Sequence, residues 1–541
     1  MSPTTQSPDV RRALLERLLK EKLQRERTFP LSFAQERLWF AEQLDPGSAV
    51  YNVPAVVRLS GPVDAAVLGR ALNEVVRRHE SLRTVFRDVD GRPVQAVLPT
   101  RELPLRVLDL ASGADAEACA QQIAANDARE PFDLAAGPLL RASLLRVAAD
   151  EHVLLLTMHH IISDGWSMGV LFRELAALYQ AFAAGAASPL AEPALQYADY
   201  AVWQCEHLTG KALERQVTYW KRRLAGAPAL LELPTDRPRP MAESHVGERH
   251  VFALPAGLEA ELRALARGEG ATLFMVLLAA FKAVLARYTG QDDVVVGSPI
   301  AGRTRGEFEG LVGFFVNTLA LRTDLGGDPT FRQLLQRVRE GTFEAYQHQD
   351  LPFEKLVEEV QVERTLAYHP VFQVMFGLQN ASGAPLQLPG VQSRVEYAHS
   401  GVARFDLTFW VDEGDDGLTA SFEYATDLFD DATIEHLGRH FAALLTAAVA
   451  APDAPVSRLP LLDDAERAMV VDEWNRTASD FPRDRSMVSL FAEQAAATPD
   501  AIAVTYGDAS LTYAELDRAS NRLARRLRAL GVAADSRVAL S

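Results

Sequence analysis

The stretch from Glu151 to Phe182 constrains this chain more than any other. Val153-Leu154-Leu155-Leu156-Thr157-Met158 is a short, mostly apolar run of the length of a buried strand, and Ser163-Asp164-Gly165 breaks it with turn chemistry. Beyond the turn, Val170, Leu171, Leu175, Leu178 and Phe182 recur at helical spacing. The chain is therefore expected to reverse into a helix packed on the strand, capped by Ser163, Asp164 or Ser167. His159 and His160 fall where strand meets turn. If the strand runs through both, their side chains project to opposite faces, so only one serves a given site and the pair cannot converge on one metal ion.

At 541 residues the chain exceeds what one core organises, and two or three domains are expected. A net charge of -17 argues against general nucleic-acid binding, which needs a basic surface. Cys119 and Cys205 are too few and too far apart for a CxxC metal site or a disulfide framework, which points to a reducing, cytoplasmic setting. The N-terminus lacks the apolar stretch of a secretory signal. The longest apolar run, Ala271 to Ala280, is too short to span a bilayer and reads as a buried helix, so no membrane partner is expected.

Along the chain, Ser7-Pro8-Asp9 has the form of a helix start, and Val10, Leu14, Leu15, Leu18 and Leu19 make an apolar stripe, giving a helical arm over 1–28. That arm lies on the main body or docks an upstream protein. Breaks at 183–193 and 233–240 flank a charged helical pattern from Gly210 to Leu224 and suggest two lobes, 29–200 and 201–455. The prolines of Ala451-Pro452-Asp453-Ala454-Pro455 introduce a linker over 456–486, followed by a short segment, 487–541. That segment has no Gly/Ser/Thr-rich phosphate loop, so no adenylating activity is expected from it.

Seven blocks occur in a fixed order: Leu31–Phe40, Arg77–Phe86, His159-His160-Ile161-Ile162-Ser163-Asp164-Gly165, Tyr197–Trp203, Val312–Thr318, His348–Glu354 and His369–Phe376. This series resembles the condensation domains of nonribosomal peptide synthetases, with S-x-A-Q-x-R-L-W, R-H-E-x-L-R-T-x-F and H-H-x-x-x-D-G in that sequence. His369 stands where the family's last block has Asn. The blocks span roughly residues 30 to 455, and 487–541 resembles the beginning of an adenylation domain. The resemblance implies an α+β fold of two chloramphenicol-acetyltransferase-like lobes, a V-shaped pseudo-dimer with a central tunnel.

The resemblance also implies a reaction: attack of an amine on a thioester carbonyl, giving an amide and a thiol. A histidine, with a reference pKa near ~6.5, suits the acceptance of the proton that an attacking amine must lose, or the orientation of that amine. The family motif assigns this to His160, with His159 structural behind it. Asp164 is a brace for the turn or a third member of a relay; buried, it needs a cation, which Arg83 or Arg303 supplies. Gly165 permits close backbone approach, so its N–H is a candidate for holding substrate or oxyanion. Ser298 and Trp166 are candidates for lining the tunnel.

No cofactor is expected to bind directly; phosphopantetheine arrives on partner carrier proteins, or within coenzyme A on the donor. The implied acceptor is a downstream peptidyl carrier domain. About thirty residues precede the first block, so the donor is expected in trans, from acyl-coenzyme A or an acyl carrier protein, in a chain-initiating (starter) condensation by a monomeric fragment of a larger synthetase. The alternatives are chain elongation from an upstream peptidyl carrier, epimerisation on the same fold, and a noncatalytic recruitment module.

Overall fold

The computed structural model describes residues 26–113, 115–360, 365–379, 386–396, 400–414 and 417–539. The expected helix near the N-terminus lies outside the described residues. The chain forms two compact units, 1–463 and 464–541.

Two sheets organise the larger unit, each with its own core. Strands β1 (Arg27–Pro30), β3 (Thr84–Val89) and β4 (Arg92–Val97) form a small three-stranded sheet beside the first of them. The first large sheet holds β2 (Asn52–Ser60), β5 (Leu105–Asp109), β6 (Leu140–Ala148) and β7 (Glu151–His159). Its fifth strand, β12 (Gln392–Glu396), runs antiparallel to β2, pairing Val395 with Val57. Central β7 is buried along almost its whole length, as its apolar run foretells, and pairs with β2 and β6. The helix Gly165–Ala183 returns across the same core, burying Val170, Leu171, Leu175 and Leu178.

The second sheet contains β8 (Gly247–Ala253), β9 (Asp293–Ile300), β10 (Asn317–Asp324), β11 (Val374–Gln379), β13 (Leu407–Gly414) and β14 (Gly417–Ala425), in the order β10-β9-β11-β13-β14-β8. The apolar run from Ala271 becomes the helix Leu273–Thr289, started by the Thr272 side chain and closed by Gly290 at φ 71°. Twelve of its residues are buried, against an aromatic cluster in which Phe409 meets Phe422 at 4.4 Å and Phe441 at 4.6 Å. No single described helix is long and apolar enough to cross a membrane.

The halves are not the two consecutive segments that the sequence breaks suggest. The division at 200/201 falls inside the helix Tyr197–His207, whose Gln204 accepts from the Phe33 N–H and whose Tyr197 hydroxyl meets Ser32, both first-half contacts. Leu386, Leu388 and β12 also belong to the first half, where Glu396 receives Arg58 Nε at 2.7 Å. The body likewise extends past 455: the backbone of Ala454 and Val456 bonds to Phe331 and Pro329, so Val456 and Leu459 are buried in the second core instead of starting a linker.

In the smaller unit, a helix (Met487–Ala497), a hairpin of β15 (Ile502–Tyr506) and β16 (Ala509–Thr512), and the helix Tyr513–Ala529 follow one another. Thr512 and Glu515 form a reciprocal cap at the last helix start.

The aromatic cluster of the second core predicts that Phe409→Ala costs ~3–5 kcal/mol of stability, because a large ring leaves a cavity that its neighbours fill incompletely. Thermal unfolding of the full chain reads this as a lowered melting temperature.

Candidate active site

β7 ends at His159, and His160–Ile162 form a single 3₁₀ turn. Strand alternation thus stops one residue short of His160, and the expected reason for the divergence of the two histidines gives way to a change of backbone at the strand end. His159 is buried in the first core, its ring 6.2 Å from both Tyr51 and Phe132. Its Nδ1 accepts from the Ile161 N–H at 3.2 Å. Burial, aided by the Arg404 charge and by coupling to His160, which disfavours a proton on both rings at once, lowers its pKa to about 3.

His160 is bonded differently. Its N–H donates to the Tyr51 carbonyl at 2.8 Å, and its ring lies 4.6 Å from that of Phe314. Nδ1 is 2.7 Å from the Ser163 carbonyl oxygen. A carbonyl only accepts, so Nδ1 carries the proton, and in the neutral ring Nε2 keeps its lone pair. Burial, aided by the charges of Arg404 and Arg37 and opposed by the Ser163 carbonyl, lowers this pKa to about 3 as well. The imidazole is therefore neutral at physiological pH, with the Nε2 lone pair unprotonated.

Asp164 is the cap of the helix Gly165–Ala183 and is 0% exposed. Oδ1 accepts from the Ser167 N–H at 2.8 Å, the Ser167 hydroxyl at 2.7 Å and Arg303 Nη2 at 3.1 Å. Oδ2 accepts from the Phe315 N–H at 3.0 Å. Of the two arginines considered, Arg303 is the partner. Arg83 is not: its guanidinium donates to the Leu98 carbonyl and to Glu80, at the 3₁₀ turn that leads into β3. Arg303 also donates to the Phe308 and Leu311 carbonyls and lies 3.9 Å over the Phe315 ring.

Through Arg303 and Phe315 the turn is bound to the other half. The segment Val312–Phe315 enters the first half, where Val312 and Phe314 join the core and Tyr197 donates to the Phe314 carbonyl at 2.6 Å. Gly313 makes this possible, since a Cβ there would overlap the Tyr197 ring. Asn317, at the start of β10, donates to the Gln349 and Leu351 carbonyls and accepts from the Thr318 and Phe353 N–H groups.

The remaining candidates are placed less centrally. Gly165 is exposed, and a Cβ on it would meet no protein atom within 4 Å. Trp166 is 43% exposed and donates from Nε1 to the Glu309 carbonyl at 2.9 Å. Ser298 is buried in β9 opposite Leu319 and takes no part in the Asp164 network. A cleft of about 200 Å³ opens beside Phe315, between Trp203, Arg305, Asn317 and Asp350, and His160 does not line it. Sequence reasoning missed Phe314, Arg37 and Arg404 around His160. Phe314 and Arg37 lie within blocks already singled out, whereas no local pattern marks Arg404.

A condensation-domain model matches residues 25–471 of this sequence. The chain belongs to the condensation-domain family. An AMP-binding enzyme model matches residues 491–541, so the condensation domain is followed by the start of an AMP-binding domain. The condensation domain and this segment together are 51% identical to one of the polypeptides of the linear gramicidin synthase of Brevibacillus parabrevis, over 94% of the chain and 10% of that protein. The chain thus spans about a tenth of the length of that relative. Among solved structures, the X-domain from teicoplanin biosynthesis in complex with OxyB is similar at 33% identity, TM-score 0.73, over 81% of this chain and 97% of that one. The first condensation domain of the calcium-dependent antibiotic synthetase, solved with a substrate analogue, matches at 27% identity and TM-score 0.70, over 81% and 99%. The α+β architecture of the condensation domain is that of these chloramphenicol-acetyltransferase-like structures.

The bonding of the turn sets two expectations. Asp164→Ala leaves Arg303 buried without its counter-ion and costs ~3–5 kcal/mol, read as a lower melting temperature, with Asp164→Ala/Arg303→Ala costing less than the sum of the single changes. The histidines add a pH dependence. Both are neutral in the folded state down to about pH 3 but are protonated near 6.5 when unfolded, so stability is full above pH 6.5 and falls as pH drops toward 3. Denaturant melts at stepped pH should show that decline, and His159→Gln should flatten it.

Proposed function

We propose that this domain forms an amide bond in nonribosomal peptide synthesis, joining an acyl thioester donor to the amine of a carrier-bound aminoacyl thioester. The observation that carries this reading is the His160 Nδ1–H bond to the Ser163 carbonyl, which leaves Nε2 free on a neutral ring. The amine nitrogen attacks the thioester carbonyl carbon, and Nε2 accepts the proton that the nitrogen sheds. The C–S bond then breaks, and the thiolate leaves as the thiol after taking up a proton. Thioesters are activated donors, so alignment of two tethered reactants supplies much of the rate. The open surroundings of Gly165 at a helix start support close approach of a substrate to its N–H.

The donor that we favour is an acyl group delivered in trans by acyl-coenzyme A or an acyl carrier protein, a starter condensation for a lipopeptide; elongation from an upstream peptidyl carrier is the alternative. Phosphopantetheine enters as the arm of these substrates. Both cysteines are free, which supports a cytoplasmic setting. A second reading, recruitment of a partner protein, is favoured by the similarity to a domain solved in complex with OxyB.

One experiment separates these readings. The full chain is given an aminoacyl-loaded downstream carrier with acyl-coenzyme A, an acyl-loaded carrier or a peptidyl-loaded carrier, and products are identified by mass. Amide from the first or second donor supports starter condensation, and amide only from the third assigns elongation. No amide from any donor favours recruitment. His160→Ala is expected to lower single-turnover amide formation by about 10²-fold or more while the protein melts as the unchanged chain does; undiminished turnover rejects the assignment of His160. Because the ring is already neutral, the acidic limb of the rate should follow the acceptor amine, with a reference pKa near ~8, and show no step near ~6.5.

A further inference from the structure

The His160 ring packs against Phe314, and the backbone of Phe314 is gripped from two sides. The peptide unit joining Phe314 to Phe315 gives its N–H to Asp164 Oδ2 at 3.0 Å and its carbonyl to the Tyr197 hydroxyl at 2.6 Å. Asp164 belongs to the histidine turn itself. Tyr197 comes from farther along the chain: it opens the helix Tyr197–His207, is buried, and sets its ring edge-on to Phe315 at 4.9 Å.

The direction of each bond in this region is fixed by its partner. A carbonyl only accepts, so the Tyr197 proton is committed to Phe314, and the Tyr197 oxygen accepts from the Ser32 hydroxyl at 2.7 Å. Ser32 Oγ in turn accepts the Gln35 N–H at 3.2 Å, and Gln35 Oε1 accepts the Ser32 N–H at 3.1 Å. That leaves Gln35 Nε2 to donate to the Ile161 carbonyl at 3.3 Å, one residue past His160. Ser32 and Gln35 are buried as well. One buried network thus reaches the histidine by two routes: through Gln35 to the turn that carries the imidazole, and through Tyr197 to the residue whose ring lies 4.6 Å from it.

The bond from Nδ1 to Ser163 fixes one edge of the imidazole and leaves its tilt to packing. Proton transfer to Nε2 demands hydrogen-bond reach, and a misplacement of about an ångström can cost ~10²-fold in rate. We propose that Tyr197 is a positioning residue for amide formation: its hydroxyl, by fixing the Phe314 carbonyl, sets the Phe314 ring against the imidazole and so fixes where Nε2 points. This rests on the reading of His160 as the proton acceptor. The Tyr197 ring serves the packing of the Val312–Phe315 segment, and the hydroxyl serves the histidine.

The test uses the full chain and separates placement from stability. Tyr197→Phe keeps the ring and removes the donor; single-turnover amide formation at saturating acceptor should fall about tenfold, with the acceptor KM unchanged within about twofold. Replacement of Tyr197 by 4-aminophenylalanine, which returns an N–H donor to the same place, should recover the rate. Phe314→Leu should show the same loss, and Tyr197→Phe/Phe314→Leu no more than either alone, because the hydroxyl acts through that ring. Phe409→Ala, in the other core, is the control for lowered stability and should keep the rate, with all variants compared below the lowest melting temperature. Without substrate, the ring signals of ¹³C-labelled His160, identified by their loss in His160→Asn, should move or broaden in Tyr197→Phe while those of His159 stay. A full rate or unmoved His160 signals in Tyr197→Phe, no recovery with 4-aminophenylalanine, losses that multiply in the double variant, or an equal loss in Phe409→Ala overturns the proposal. Should Tyr197→Phe fail to fold, Phe314→Leu stands in for it, and a full rate there overturns the proposal as well. Absence of amide from the unaltered chain rejects the functional reading alone, because the ring signals need no substrate.

Discussion

A carboxylate withdrawn from water has to be met by donors, and the donors of Asp164 come from two parts of the chain. The start of its own helix offers the Ser167 N–H and hydroxyl; the other half offers Arg303 and the Phe315 N–H. An unpaired buried charge is expensive, so these groups can neither drift apart nor exchange places without loss. The turn carrying His160, the helix behind it and the inserted segment Val312–Phe315 are positioned by one requirement. Asp164 needs no chemical step of its own to be indispensable.

The histidine pair shows how backbone bonding assigns different work to identical side chains. His159 spends Nδ1 as an acceptor for Ile161 and is enclosed by Tyr51 and Phe132, so it serves the core. His160 spends Nδ1–H on the Ser163 carbonyl and keeps Nε2. Burial and nearby cations keep both rings neutral. What distinguishes them is which nitrogen remains available, a property set by a single turn of 3₁₀ helix at the end of a strand.

Much of this was legible because it is local. The strand, turn and helix around His160 are written in an apolar run, a Ser-Asp-Gly break and helical periodicity, and the seven blocks marked the chemistry. Where the sequence was misleading, the determinant was long-range. Arg83 lies within a recognisable block and Arg303 within none, yet only the chain's return through residues 303–315 decides which reaches Asp164, across 139 positions. Breaks in composition suggested consecutive lobes, whereas β12 joins β2 from more than three hundred residues away. Arg404 lies beyond the last block and is held beside Tyr51 by the Val50 carbonyl, a contact that no spacing rule encodes.

The exchange of pieces between the two halves bears on how such a domain can be recombined. The second half completes the first: it lends a strand and the Val312–Phe315 segment, and the first supplies the sheet edge and the Tyr197 ring that receive them. A crossover placed near residue 200 would ask foreign segments to fill an inherited core and to answer an inherited buried charge. A graft that keeps the packed body whole, ending at Asp463 where its contacts thin out, moves every such pair together. Swappability is thus a property of contact boundaries, and the apparent gaps in the sequence are poor guides to it.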